Sequence, residues 1–224
     1  MIYVQKSSSI PSSLARQTSY SKSDVIEQLN GDFHGKCYIC EQKESITTYH
    51  VEHFIPHRGD ISIKYDWNNL FLSCGHCNSV KTARQFDDIL NCSDATLQVE
   101  KAIRHYCNPF PKEFAIFEVK ISSTKAINTR DLLDKTFNGE HTGFKKLESA
   151  NLRALLLKEI KEFVDAIEGF EEDEEEKEYY KNKIIQHIKN DSAFTAFKRW
   201  IIRDNVKLMG EFGQYISVLN TKQK

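Results

Sequence analysis

Apolar positions in the second half of the chain repeat at helical intervals. Leu152, Leu155, Leu156, Ile160, Phe163, Val164 and Ile167 fall on one face of a helix running from about Phe144 to Ile167. A shorter stripe of Tyr180, Ile184 and Ile188 follows a run of six acids, Glu171 to Glu176. Phe194, Phe197, Trp200 and Ile201 form a third stripe, on a last substantial helix capped by Asp191 or Ser192. On that helix Lys198, Arg199 and Arg203 stand on the other faces, with Lys207 just beyond, as a solvated surface or a nucleic-acid contact. Upstream, Thr129 suits the N-cap of a helix over Arg130–Phe137 that stops at Asn138-Gly139.

Ahead of these helices the period changes. Phe114 to Ile121 alternates as a strand, whereas Leu97, Val99, Ile103 and Tyr106 give residues 96–106 helical spacing, broken by Asn108-Pro109-Phe110-Pro111. Thr47–His53 and Trp67–Ser73 read as two short strands around a turn at Pro56–Asp60. A helix follows from about Asn78 toward Leu90, with Val80, Ala83 and Ile89 inward. Ser23 or Asp24 caps a short helix through Leu29, closed by Asn30-Gly31. Residues 1–23, Ser-rich beyond Met1–Val4, read as an arm: a disordered leader, or a segment that docks as an edge strand or on a partner. The expectation is an α+β, mostly helical chain in three parts: arm and short helix (1–30), a ββα unit (31–92) and a mainly helical domain (93–224).

With 224 residues, 40% hydrophobic content and 14 Phe, the chain has ample material for a buried core. No run approaches the roughly 18 apolar residues of a membrane helix, and MIYVQKSSSI has no apolar signal core, so no membrane association and a cytoplasmic location are expected. A formal net charge of −1 excludes a generic basic coat for nucleic acid; grip would come from a local groove or a partner.

The cysteines sharpen this. Cys37-x-x-Cys40 and Cys74-x-x-Cys77 each offer two thiolates from one knuckle, and together they complete a four-sulfur structural zinc site. His34 stands close enough to compete, His76 inside the second knuckle is expected to be exposed, and Cys92 and Cys107 read as buried free thiols. Between and after the knuckles lie Glu52, His53, His57, Asn69, Asn78 and Lys81, with His50 on the same strand face as Glu52. Hydrolysis of a phosphodiester needs a base near neutral pH, which imidazole supplies, and a cation for which Glu52 and Asn78 oxygens suit Mg²⁺ or Mn²⁺. Lys81, one turn beyond Asn78, and His57 are placed to reach phosphates. The blander alternative is a zinc module that binds nucleic acid or protein without cutting.

Val51-Glu52-His53-Phe54-Ile55-Pro56, Asn69-Leu70 and Cys74-Gly75-His76-Cys77-Asn78 with Lys81 resemble the zinc-stapled ββα-metal motif of HNH endonucleases. The resemblance implies His53 as general base, Glu52 and Asn78 as ligands of a catalytic Mg²⁺ or Mn²⁺, Asn69 as the residue pinning the hairpin loop, and Lys81, His57 and Arg84 as nucleic-acid contacts. Beyond the motif, Met1-Ile2-Tyr3-Val4 with Lys6 and Pro11, the Glu52-His53-Phe54 variant, and Asn128-Thr129-Arg130-Asp131-Leu132-Leu133 before Asn138-Gly139 are similar to PtuB, the HNH family of Septu and retron-associated antiphage systems. That likeness implies an accessory effector under control of a PtuA-type ATPase docked on the helical half; the HNH resemblance in general favours DNA as substrate, with an RNase, for example a tRNA-cleaving one, as the alternative. The chain itself has no P-loop.

Overall fold

The computed structural model describes residues 1–81, 86–108 and 114–219. In chain order its elements are α1 (Ser12–Ala15), α2 (Ser23–Asp32), β1 (Tyr49–His53), α3 (Ile61–Lys64), β2 (Leu70–Cys74), α4 (Gly75–Val80), α5 (Val99–Ala102), β3 (Ile103–Asn108), β4 (Phe114–Val119), α6 (Thr124–Asn138), α7 (Gly143–Glu172), α8 (Lys177–His187), α9 (Thr195–Asp204) and α10 (Val206–Leu219). The class is the expected one, mostly helical with two small sheets.

β1 and β2 pair antiparallel, with Tyr49 opposite Cys74 and His53 opposite Leu70. This register puts the knuckles at one end of the hairpin and His53 at the other. Both strands are shorter than the alternation suggests, because Ile46–Thr48 and Trp67–Asn69 wind into 3-10 turns. α4 starts at Gly75 rather than Asn78, since the Cys74 sulfur accepts the Cys77 N–H at 3.5 Å and caps it. It ends at Val80 instead of running to Leu90: Lys81 leaves the helical region, and the Leu90 N–H is taken by the Thr129 hydroxyl at 2.8 Å. Val80 and Ile89 are buried as expected, and Ala83 lies outside the described residues.

The stretch 96–106 is not one helix. It resolves into a 3-10 turn at Ala95–Leu97, the single turn α5, and β3, because β4 supplies a partner with His105 opposite Phe117. Thr129 sits buried in mid-helix rather than at a cap; α6 begins earlier, where the Ser123 hydroxyl accepts the Ala126 N–H at 3.0 Å. α2 passes through Gly31 and stops only where His34 and Gly35 take positive φ of 55° and 65°. Asp24 does not cap it; its carboxylate accepts the Ser13 N–H at 2.9 Å and hydroxyl at 2.6 Å, anchoring α1.

One apolar cluster gathers side chains from Met1 to Phe197, with Phe33, Phe71, Phe117, Phe137 and Leu156 among its large members. A second joins Phe163, Phe170, Ile184 and Ile188 to Ile202, Leu208, Phe212 and Ile216, the last three from α10, a helix the hydrophobic pattern did not disclose. The third stripe is rotated from expectation: Ile202 is buried while Trp200 and Ile201 are only half-buried, and α9 begins after Phe194 in the left-handed region, not at an Asp191 or Ser192 cap. Lys198 and Arg199 are fully buried, not on a solvated or nucleic-acid face. Lys198 Nζ reaches Glu159 Oε2 and the Ser192 hydroxyl, each at 2.7 Å. Arg199 donates to Glu100 Oε1 at 2.7 Å, Ile188 O at 2.9 Å and Asn190 Oδ1 at 2.7 Å, and Arg203 adds Glu100 Oε2 at 2.9 Å.

The arm is neither disordered nor an edge strand. Met1, Ile2 and Val4 are buried, and the Val4 N–H donates to Cys92 O at 2.9 Å. The Met1 ammonium donates to His105 Nε2 at 2.8 Å and pairs with Glu41 at 3.2 Å. Lys6 donates to the Trp67 carbonyl and, at 2.6 Å, to the Leu70 carbonyl; burial pulls its pKa down to about 8 against the pull of Asp32. Glu41, directly after Cys40, also accepts the Ala196 N–H at 2.9 Å, and Lys36 donates to Ser192 O at 2.8 Å, so the start of α9 closes over the first knuckle. No helix among the described residues is long and apolar enough to cross a membrane.

Candidate functional site

The four sulfurs of Cys37, Cys40, Cys74 and Cys77 lie within 4.8 Å of one another and all four residues are buried. Cys40 and Cys74 are 3.9 Å apart, close to the edge of about 3.8 Å that a tetrahedron of ~2.3 Å zinc–sulfur bonds requires. Burial pushes the Cys40 and Cys77 thiols up, while hydrogen bonds from the other three cysteines bring Cys37 well down despite its burial. The donor set therefore fits a structural zinc ion. His34 is not part of the group, and neither is Cys92, buried with its thiol pushed up to about 12, nor the half-buried Cys107.

At the far end of the hairpin, Asn69 closes the loop with both halves of its amide. Oδ1 accepts the Ile55 N–H at 2.7 Å, and Nδ2 donates to Ile55 O at 2.8 Å and Ile63 O at 3.2 Å. The loop thus folded carries the Lys64 carbonyl to within 3.0 Å of His53 Nε2. A carbonyl only accepts, so Nε2 carries the hydrogen and Nδ1 of the neutral ring is left with its lone pair. Burial lowers the His53 pKa, opposed by that hydrogen bond, which keeps the ring neutral near pH 7.

His53 and His57 rings meet edge-on, with centroids 4.7 Å apart. The two imidazoles, Glu52, Arg58, Asn78 and Lys81 wall an open cavity of about 370 Å³. Hollows of similar or larger size lie beside Tyr3 and Arg203, between β4 and α6, and beside α8, where His187, Glu159 and Gln186 also bring imidazole, carboxylate and amide together; of these four, the cavity at His53 is the one walled by the cysteine-stapled hairpin and α4. The Glu52 carboxylate is buried, with Oε1 2.6 Å from Lys81 Nζ. Neither of its oxygens accepts a hydrogen bond of good geometry, and burial raises its pKa to about 7 against the pull of Lys81. An under-satisfied buried carboxylate facing a cavity beside Asn78, whose amide makes no hydrogen bond among the described residues, fits a hard divalent cation held by oxygen.

Other expected residues fall differently. Lys81 does not project toward a phosphate: its ammonium is buried against Glu52 and donates to Phe54 O at 2.9 Å and His53 O at 3.4 Å. His57 lines the cavity, its Nδ1 accepting the Gly59 N–H at 3.1 Å. Arg84 lies outside the described residues. His50 is exposed and does not line the cavity, whereas His76 is tucked in, with Nε2 2.8 Å from Thr136 O and Nδ1 3.1 Å from Glu148. Two residues escaped the sequence reading. Arg58, adjacent to a singled-out histidine, lines the cavity and pairs with Asp87 at 2.6 Å; Tyr20, in the arm, touches the His53 ring, and no local pattern marked it.

A cysteine-stapled hairpin and helix present an imidazole, a carboxylate and an amide to one open cavity, the arrangement of a ββα-metal unit. Residues 37–84 match the family model described as HNH endonuclease, so this part of the chain is an HNH endonuclease domain. Neither a curated protein nor a solved structure matches.

Proposed function

We propose that the chain is a metal-dependent HNH endonuclease that hydrolyses phosphodiester bonds of nucleic acid, and that it serves as the effector of an antiphage complex with a PtuA-type ATPase. The observation that carries the chemistry is the His53 ring, fixed through Nε2 to the Lys64 carbonyl and opening on the cavity that Glu52 and Asn78 share. DNA as favoured substrate rests on the resemblance to HNH endonucleases in general, and the defence role and the ATPase on the resemblance to PtuB.

His53 Nδ1 takes a proton from water as its oxygen attacks phosphorus; the bond to the departing sugar oxygen breaks, and that oxygen collects a proton from solvent. The Lys64 carbonyl holds the imidazolium formed in this step, as it held the neutral ring. Glu52 and Asn78 are the residues that would hold a Mg²⁺ or Mn²⁺ ion, which would supply positive charge to the phosphate oxygens. Asn69 keeps the loop closed, and His57 and Arg58, both on the cavity wall, offer donors to the flanking phosphates.

The test is cleavage of plasmid DNA and of total RNA with Mg²⁺ or Mn²⁺, wild type beside His53→Ala, with and without a PtuA-type ATPase. Metal-dependent cutting should fall by roughly 10²- to 10⁴-fold in the variant, while zinc content and thermal midpoint hold. Cutting of RNA alone would select the RNase reading. Undiminished cutting by His53→Ala would remove the imidazole from the mechanism, and failure to cut either polymer in every condition would favour a zinc-stapled binding module.

A further inference from the structure

We infer that Tyr20, from the N-terminal arm, is a positioning residue that holds the His53 imidazole in its Nε2–H form; this rests on the nuclease reading for its consequence in catalysis. The Tyr20 ring meets His53 edge-on, with centroids 4.7 Å apart and planes at 66°. Tyr20 is not part of the cavity wall that His53 and His57 form. The imidazole therefore meets two rings, His57, which lines the cavity, and Tyr20, which does not, while among the described residues its hydrogen bond goes to Lys64 O at 3.0 Å. A single hydrogen bond fixes one atom of a ring; the second contact is what stops rotation about the Cβ–Cγ bond.

The arm is built to deliver this ring. Ser21 N–H donates to the Ser19 hydroxyl at 3.1 Å, making a tight serine turn with Tyr20 at its apex. On one flank, the Thr18 N–H and hydroxyl both reach Ser13 O at 3.0 Å, and Ser13 is fastened to Asp24. On the other flank α2 begins at once. Lys64, whose carbonyl receives His53, also places its ammonium 5.7 Å from the centre of the Tyr20 ring and 5.4 Å from that of Tyr65. Tyr20, Lys64 and His53 thus form one closed set, in which the arm contributes the side chain that the hairpin lacks.

The contact is through the ring, so Tyr20→Phe should preserve it and Tyr20→Ala should lose it. With full-length protein in the presence of Mg²⁺, kcat should drop on the order of 10-fold in Tyr20→Ala with KM little changed, and recover in Tyr20→Phe. In ¹⁵N-histidine spectra taken above the imidazole titration range, wild type and Tyr20→Phe should show His53 as the pure Nε2–H tautomer. Tyr20→Ala should show a mixture and lose the ring-current shift of the His53 protons. Unchanged kcat together with an unchanged His53 signature in Tyr20→Ala overturns the inference. If wild type cuts nothing, the nuclease reading fails, and the spectra alone then decide: a shifted tautomer in Tyr20→Ala supports the positioning role and an unshifted one overturns it.

Discussion

At the scale of single residues the site depends on a buried ion pair. Glu52 and Lys81 sit 2.6 Å apart with side chains 7% and 3% exposed, and the lysine ammonium also ties the end of β1 to the end of α4 through two carbonyls. Removing one partner strands the other charge away from water. Lys81→Met should therefore cost about 3–5 kcal/mol in urea unfolding at a pH well above 7, where the carboxyl stays ionised, and less near neutral pH, where it takes up a proton; adding Glu52→Gln should return most of the loss seen at high pH. If the double variant is as unstable as the single one, the lysine acts through its carbonyl contacts instead. Spacing alone was enough to group the four cysteines. It could not tell a lysine aimed at phosphate from one turned inward, because both stand one helical turn after Asn78 and differ only in what faces them.

At the scale of elements, α4 is the weak member that other parts secure. Six residues are far too few for a helix stable by itself, since isolated helices shorter than about 12–15 residues are marginal. It is held at its start by the Cys74 cap and the sulfur cluster, and along its side by α6 and α7. His76 reaches Thr136 O and Glu148, and Lys145 donates to Glu148 and Ser79. Cys40→Ala should abolish the single equivalent of tightly bound zinc and all cleavage, yet leave most of the far-UV helical signal, which comes from α6 to α10. Metal analysis beside circular dichroism separates these; retained zinc would mean that three sulfurs suffice. The apolar stripe of α7 and the strand at Phe114 were plain in the sequence because a long amphipathic helix and an alternating strand carry their own periodicity. β3 and the early end of α4 were not, because a strand partner and the hydroxyl of Thr129 decided them from outside.

The molecule as a whole is knit by charges buried far apart in the chain. Glu100 serves both Arg199 and Arg203, which hold its carboxyl below the ordinary range against the effect of its own burial. A depressed carboxyl gives stability that is complete above its unfolded value of about 4.3 and is lost as pH falls through the lower folded value. Wild type should therefore keep this contribution at neutral pH and shed it below about pH 4, whereas Glu100→Gln should be weaker by about 3–5 kcal/mol at neutral pH and show a shallower acid loss. Chemical unfolding across that range checks both slopes. In sequence, Lys198, Arg199 and Arg203 look like a basic face because their carboxylate partners, Glu159 and Glu100, lie on other elements and no local pattern joins them.

The contact of Glu41 with the start of α9 also sets a clock. Glu41 follows the first knuckle, but the amide it accepts, that of Ala196, is 155 residues later. At a synthesis rate of roughly 5–20 residues per second, the ribosome takes on the order of ten seconds to bring the two within reach. By the later part of that interval the four cysteines and His53 have all been made, while the helix that closes over the first knuckle has yet to follow. The first knuckle reaches its final form only as translation of the helical half nears its end, so the cysteine-stapled hairpin and the helices behind it are completed in the same event.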